Sequence, residues 1–146
     1  MKVVGLSGRD LLAVARAFVE VARARLVLRR LGPGDIVRMN LRAAERSAGR
    51  PPEPRLVGRV ARILPAAARR VPWRSDCLVQ AIAAQNWLAA SGVAGQIVLG
   101  VDRIGHGVEA HAWLRVGDRI VTGGSVDRYT VLLEGEAAGD RPPTTE

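Results

Sequence analysis

A chain of 146 residues has room for one compact domain, because single domains commonly hold about 100–150 residues around one core. Hydrophobic residues make up 48% of it, which argues against disorder throughout, and a 3% aromatic share leaves the packing to aliphatic side chains. The net charge of +8 suggests nucleic acid, an anionic membrane or an acidic protein as partner, but Lys2 is the only lysine, and such an arginine excess also follows from genomic base composition.

The cysteine content restricts both chemistry and compartment. Cys77 is the only cysteine, which excludes an internal disulfide and a CxxC redox or zinc motif, and it fits a reducing cytosol. Arginines interrupt the apolar residues that precede Gly32, so this segment lacks the layout of a signal peptide or a membrane span. We therefore expect a cytoplasmic protein with no membrane partner.

The first predicted helix covers residues 8–31. Ser7 and Asp10 resemble a capping box, apolar residues recur at helical spacing, and Gly32-Pro33 ends the pattern. The arginines of this helix form either a solvated face or a surface for an anionic partner.

Two further helices follow in the first half. Asp35 is expected to cap the second helix, which ends before the proline-rich linker at residues 49–54. The third has apolar residues from Leu56 to Leu64, and Pro65 is expected to kink or restart it.

The pattern changes in the second half from helical to alternating. Ser75 is expected to cap a fourth helix, which Ser91-Gly92 closes. Alternation then predicts strands at residues 96–101, 110–116, 119–122 and 128–133, the second and third joined by a turn at Gly117-Asp118. We expect a single domain over residues 1–133, with a helical part at 1–54 and a core at 55–133, followed by a disordered tail at 134–146.

Cys77 and His111 are the candidate catalytic residues. Cys77 falls about two positions into the fourth helix, where free N–H groups and the helix dipole favour a thiolate, although most lone cysteines are small buried hydrophobes. His111 lies off the aliphatic face of its strand. A cysteine at a helix start and a histidine on a later strand is the arrangement of transglutaminase-like and papain-like sites. The order of elements thus predicts an α+β fold with a catalytic helix packed on a small antiparallel sheet.

Several ordered segments carry a resemblance to a known family. They are residues 71–81 around the cysteine, 99–101, 110–114 around the histidine, 123–124 and 128–130. Over about residues 55–133 the chain resembles the stand-alone leader peptidase of lasso-peptide biosynthesis. This resemblance implies that Cys77 and His111 are catalytic and that the substrate is a precursor's leader peptide. It also implies two partners, a separate leader-recognition protein and an ATP-dependent lasso cyclase. The chemistry requires no metal or other cofactor.

A third catalytic residue is harder to place. The family pattern has an aspartate on the strand after the histidine, whereas this chain has glycines at residues 123–124, the positions expected opposite His111. Asp127, just beyond that strand, is the first candidate, Asp102 the second, and Asp118 in the far turn the third. A backbone carbonyl or a water is the alternative, because orienting the imidazole is the essential need.

These residues predict a cysteine peptidase that works through a thioester. His111 takes the proton of Cys77, the thiolate attacks the leader–core junction, and the Cys77 N–H holds the oxyanion, with Trp73 or Gln80 as possible additional donors. One alternative is an acyltransferase that delivers the same thioester to an amine. The other is a basic nucleic-acid-binding module, against which the few aromatic residues and the lack of a zinc or RNP signature argue.

Overall fold

The computed structural model describes residues 7–48 and 50–133, which form four helices followed by a four-stranded antiparallel sheet. The helices are α1 Gly8–Leu28, α2 Pro33–Arg46, α3 Pro54–Ala68 and α4 Cys77–Ala90. The strands are β1 Gln96–Ile104, β2 Gly107–Val116, β3 Arg119–Thr122 and β4 Thr130–Leu133. The predicted α+β fold class is therefore confirmed, while the tail predicted to be disordered at 134–146 lies outside the described residues.

The start of α1 follows the predicted capping box. The Ser7 hydroxyl accepts from the Asp10 N–H, and the Asp10 carboxylate accepts from the Ser7 N–H at 3.2 Å. In α2 the helix begins at Pro33, earlier than predicted, and Asp35 lies inside its first turn, where its carboxylate accepts from the Gly32 N–H at 2.6 Å. A proline is well suited to a first helical position because its missing N–H has no partner there anyway.

Helix α3 continues through Pro65 to Ala68, so the predicted restart does not occur. Proline cannot donate to the carbonyl four residues before it, which is that of Ala61. The last turn keeps its helical form because Leu64, Ala67 and Ala68 are buried in the core.

The sheet has the order β3-β2-β1-β4. The β1–β2 hairpin is longer than predicted, since pairing runs from Gln96 with Arg115 to Ile104 with Gly107. Residues 103–110 are exposed, so no apolar alternation indicated this extension. Strand β4 begins at Thr130, two residues later than predicted, because Arg128 lies in the preceding turn.

The core lies between the helices and one face of the sheet, with α4 in the middle. Helix α4 is buried along most of its length, and its alanines let α1 and α3 approach closely. Aliphatic side chains fill this core, as the composition indicated, and each large one stabilises the fold by about 1.5–3 kcal/mol. The fully buried members include Val21, Val60, Leu64, Val79, Ile82, Leu88, Ile97 and Leu114.

A buried amide pair connects α2 and α4 to β1. The Asn40 side chain donates to the Ile97 carbonyl at 2.9 Å and accepts from the Ile97 N–H at 2.8 Å. Gln85 donates to the Asn40 side chain at 2.8 Å and to the Gly95 carbonyl at 2.9 Å. Both amides are almost fully buried, so these bonds satisfy groups that water cannot reach.

Within the part of the chain that the structure describes, no helix has the length and apolar character needed to cross a lipid bilayer.

Candidate active site

Cys77 is the first residue of α4, one position closer to the helix start than predicted. The N-cap is Asp76, whose carboxylate accepts from the Val79 N–H at 3.2 Å, and not Ser75. Adjacent capping residues compete for this position, and the backbone path into the helix decides between them. The cap satisfies the Val79 N–H, whereas the N–H groups of Cys77 and Leu78 have no acceptor within the helix because no helical carbonyl lies four residues before them. They lie at the positive end of the helix dipole, beside a half-buried free thiol.

The segment before α4 is held by Gln80. Its side-chain amide donates to the Ser75 carbonyl at 3.1 Å. The Ser75 hydroxyl is buried and, among the described residues, has no hydrogen-bond partner. Gln80 lines the same cleft as Cys77, whereas Trp73, the other candidate oxyanion donor, is absent from that lining.

His111 lies on β2, opposite Gly100 of β1. Its Nε2 atom is 2.7 Å from the Gly123 carbonyl oxygen, and because a carbonyl only accepts, Nε2 must carry the hydrogen. In the neutral ring this leaves Nδ1 unprotonated. Nδ1 is therefore the nitrogen that can take a proton from a thiol.

Tyr129 stacks on the imidazole of His111, with ring centroids 4.7 Å apart and planes inclined by 26°. Arg128 donates to the Tyr129 hydroxyl at 2.7 Å and to Glu109 at 3.0 Å, and its Nε lies 3.7 Å from Asp102. The pKa of Arg128 is raised above its ordinary value, first by the hydrogen bond to Tyr129 and the charge of that residue, and then by the charges of Glu109 and Asp102. This polar group fixes the aromatic ring that covers the histidine.

The first two predicted carboxylate candidates take no part in the hydrogen bond between His111 and Gly123. Asp127 is exposed in the turn after β3, and Asp102 forms its ion pair with the arginine beside Tyr129. The Nε2 hydrogen of His111 goes to the Gly123 carbonyl, which matches the backbone alternative. A catalytic role for Asp127 stays a prediction.

The backbone at Gly123 requires a glycine. Its φ is +106°, a conformation that L side chains rarely adopt. A Cβ there would lie 2.4 Å from the Cβ of Trp113, closer than two carbon atoms that are not bonded to each other can approach. Only glycine therefore brings its carbonyl to His111 in this arrangement.

Cys77 and His111 line one cleft with a volume of about 600 Å³, a size that suits a ligand or a few peptide residues. Sequence reasoning missed the α3 wall of this cleft, because residues distant in the chain reach it only through tertiary packing. The one signal for this wall in the sequence was Pro65, which has no N–H to donate to the Ala61 carbonyl. The lining residues are Ala61, Pro65, Arg69, Ser75, Asp76, Cys77, Gln80, His111, Ile120, Val121, Thr122, Gly123 and Gly124.

Within residues 7–48 and 50–133, no three His, Cys, Asp or Glu side chains are grouped so that they could hold a metal ion.

A family model described as the transglutaminase-like superfamily matches residues 10–134. The match leaves out the first two residues of α1 and includes the rest of the four helices, the sheet and both candidate catalytic residues. No curated protein and no solved structure gives a significant match.

Proposed function

The chain belongs to the transglutaminase-like superfamily, and we propose, from the motifs that resemble a lasso-peptide leader peptidase, that it is a cysteine peptidase that removes the leader from a lasso-peptide precursor. Members of the superfamily are commonly cysteine-dependent enzymes and include cysteine proteases and acyltransferases. The observation that carries the proposal is that Cys77 and His111 line one cleft, with the histidine held in the tautomer that can accept the thiol proton.

The first half of the reaction forms a thioester. Nδ1 of His111 takes the Sγ proton of Cys77, and the thiolate attacks the carbonyl carbon at the leader–core junction. The N–H groups of Cys77 and Leu78, which have no acceptor within α4, can donate to the oxyanion that develops, and Gln80 is a further donor in the cleft.

The second half releases both products. The protonated His111 gives its proton to the departing amine of the core peptide, which leaves the leader joined to Cys77 as a thioester. A water molecule then attacks the thioester while Nδ1 takes its proton, and the thiol returns as the leader carboxylate leaves. The cleft is open to solvent along the exposed residues Asp76 and Gly124, which gives water access to the thioester.

Two partners complete the proposal. The core amine passes to an ATP-dependent cyclase that closes the macrolactam ring, and a separate leader-recognition protein presents the precursor. Holding the leader on a partner raises the effective concentration of the scissile bond without changing the chemistry at Cys77. The family resemblance over residues 55–133 supports these partners.

The decisive experiment incubates the protein with the precursor from the same gene cluster, with and without the leader-recognition protein, and weighs the products by mass spectrometry. We expect a leader carboxylic acid and a free core amine, formed much faster with the partner. Cys77→Ala should abolish cleavage, His111→Ala should be nearly as damaging, and the double variant should be no worse than either because the two side chains act as one unit. Cleavage by Cys77→Ala at the wild-type rate would refute the proposal, and a leader joined to an added amine would identify an acyltransferase.

A further inference from the structure

The outer face of α3 carries a line of arginines. Arg55, Arg59, Arg62 and Arg69 follow one another at spacings of four, three and seven residues, and all four are exposed. These spacings place them on one helical face, and a rise of 1.5 Å per residue spreads them over about 21 Å. We call these four residues the arginine stripe.

The arginine stripe begins beside a second groove and ends at the catalytic cleft. Arg69 lines the cleft that contains Cys77. Arg59 lines a groove of about 420 Å³ between α1, α3 and α4, together with Arg9 and Arg16. The stripe thus joins the active site to a second, strongly basic depression.

The second groove also offers apolar surface. Leu12 is 73% exposed at its edge, and Leu56 and Trp87 belong to its lining. The guanidinium of Arg16 lies 5.4 Å from the centre of the Trp87 ring, which holds that arginine in place over the aromatic face. A ligand that carries both carboxylates and aliphatic side chains would match this combination.

The positive charge of the arginine stripe and the second groove is only partly balanced by nearby carboxylates. Glu20 lies 3.7 Å from Arg16, and the charge of Asp10 acts on Arg59 and Arg62, although that carboxylate is already held by Ser7. Within the described part of the chain, the arginines of the stripe have no carboxylate within 4.0 Å. Cationic side chains are therefore available to an anionic ligand along the arginine stripe and in the second groove.

We infer that the arginine stripe and the second groove bind an acidic segment of the peptide substrate while its scissile bond lies in the catalytic cleft. This inference rests on the proposed peptidase function. Arg59 on α3 and Arg69, the C-cap residue of that helix, are ten residues apart, or about 15 Å, which an extended peptide covers with about five residues. Carboxylates about five residues from the scissile bond would therefore reach the groove. A peptide fits better than a nucleic acid because Trp87, the aromatic residue in the lining of the second groove, is 3% exposed and lies under the guanidinium of Arg16, so it offers little surface for base stacking.

A binding experiment tests the stripe independently of catalysis. Two fluorescent peptides of identical sequence, apart from glutamates in one and glutamines in the other, are titrated with full-length Cys77→Ala at low salt. We expect the glutamate peptide to bind about tenfold more tightly, and the difference to shrink as salt rises. Arg59→Gln with Arg62→Gln should weaken its binding about five- to tenfold. The matched control, Arg42→Gln with Arg46→Gln, removes the same charge from α2 and should change binding less than about twofold.

Charge reversal provides a gain of function that unfolding cannot imitate. Arg59→Glu with Arg62→Glu should transfer the preference to a peptide with lysines in place of the glutamates. Equal binding of the glutamate and glutamine peptides, or an equal loss in the α2 control, would overturn the inference. So would a DNA duplex that binds more tightly than the glutamate peptide and depends on the same arginines. If the precursor stays uncut by the active protein while the glutamate peptide still binds through the stripe, only the peptidase proposal fails.

Discussion

Replacing Gly123 with alanine tests whether the carbonyl of this residue orients His111. The added Cβ would lie 2.4 Å from the Cβ of Trp113 and 3.2 Å from its Cα, at a φ of +106°. Neither atom of Trp113 is the end of a flexible side chain, so the backbone of residue 123 has to move. The carbonyl that accepts the Nε2 hydrogen of His111 at 2.7 Å then moves with it.

The size of the effect follows from these contacts. A strained backbone conformation costs about 1–3 kcal/mol, and overpacking adds about 1–3 kcal/mol, so we expect Gly123→Ala to lower the free energy of unfolding by about 2–6 kcal/mol. Domains of this size commonly have a free energy of unfolding of about 5–15 kcal/mol, so a loss in the lower part of the expected range leaves the variant folded at room temperature. Loss of the carbonyl contact removes a hydrogen bond of about 1 kcal/mol that orients the imidazole, which alone lowers kcat about fivefold, and the other tautomer becomes accessible, so kcat should fall about fivefold to tenfold.

Gly124→Ala is the matched control. Gly124 also has a positive φ, +69°, but a Cβ there meets no atom within 4 Å. Alanine in the left-handed region costs about 1–2 kcal/mol, and the Gly123 carbonyl stays in place. This variant should therefore lose some stability and keep its activity.

Three measurements decide the question: urea unfolding for stability, leader cleavage for kcat, and nitrogen-15 NMR of the imidazole for the tautomer. Wild type and Gly124→Ala should show the hydrogen on Nε2 of His111, whereas Gly123→Ala should lose this preference. The reasoning is refuted if Gly123→Ala keeps both the Nε2–H tautomer and the wild-type kcat, or if Gly124→Ala loses as much activity.

Three other predictions concern the fold and the orienting group. Asn40→Leu leaves the buried N–H and carbonyl of Ile97 unpaired and should cost about 3 kcal/mol by urea unfolding; a loss under about 1 kcal/mol would contradict this. The hydrogen bonds from Ser7 lower the pKa of Asp10 below 3.8, so its stabilisation is present above that value and is lost as the pH falls through the folded pKa. Thermal unfolding should therefore show Asp10→Asn less stable than wild type at neutral pH, with a gap that closes in strong acid; a constant gap would contradict this. Asp127→Asn should keep the acylation rate because the Gly123 carbonyl already accepts the Nε2 hydrogen of His111. A strong loss of rate would instead identify the Asp127 carboxylate as the third catalytic residue.

Local patterns predicted the elements that carry Cys77 and His111. Capping residues before an apolar run and alternation around a histidine are short-range signals, and the structure places both residues in the predicted helix and strand. The choice of Asp76 over Ser75 as N-cap depends on backbone geometry that adjacent capping residues do not reveal. The sequence placed Gly123 near His111 and left a backbone carbonyl open as the orienting group, but it could not select this carbonyl, because every residue has one.

A carbonyl in the place of a carboxylate has a consequence for how the site would work. The Gly123 oxygen fixes the tautomer of His111, but it is neutral and stabilises a developing imidazolium less than a charged partner would. Less of the rate acceleration can then come from the base, and more must come from holding the scissile bond at Cys77. A leader-recognition partner and the arginine stripe along α3 would both supply that positioning. We therefore expect a shortened precursor without the leader to lose kcat as well as affinity, whereas an unchanged kcat would show that the residues around the cleft are sufficient.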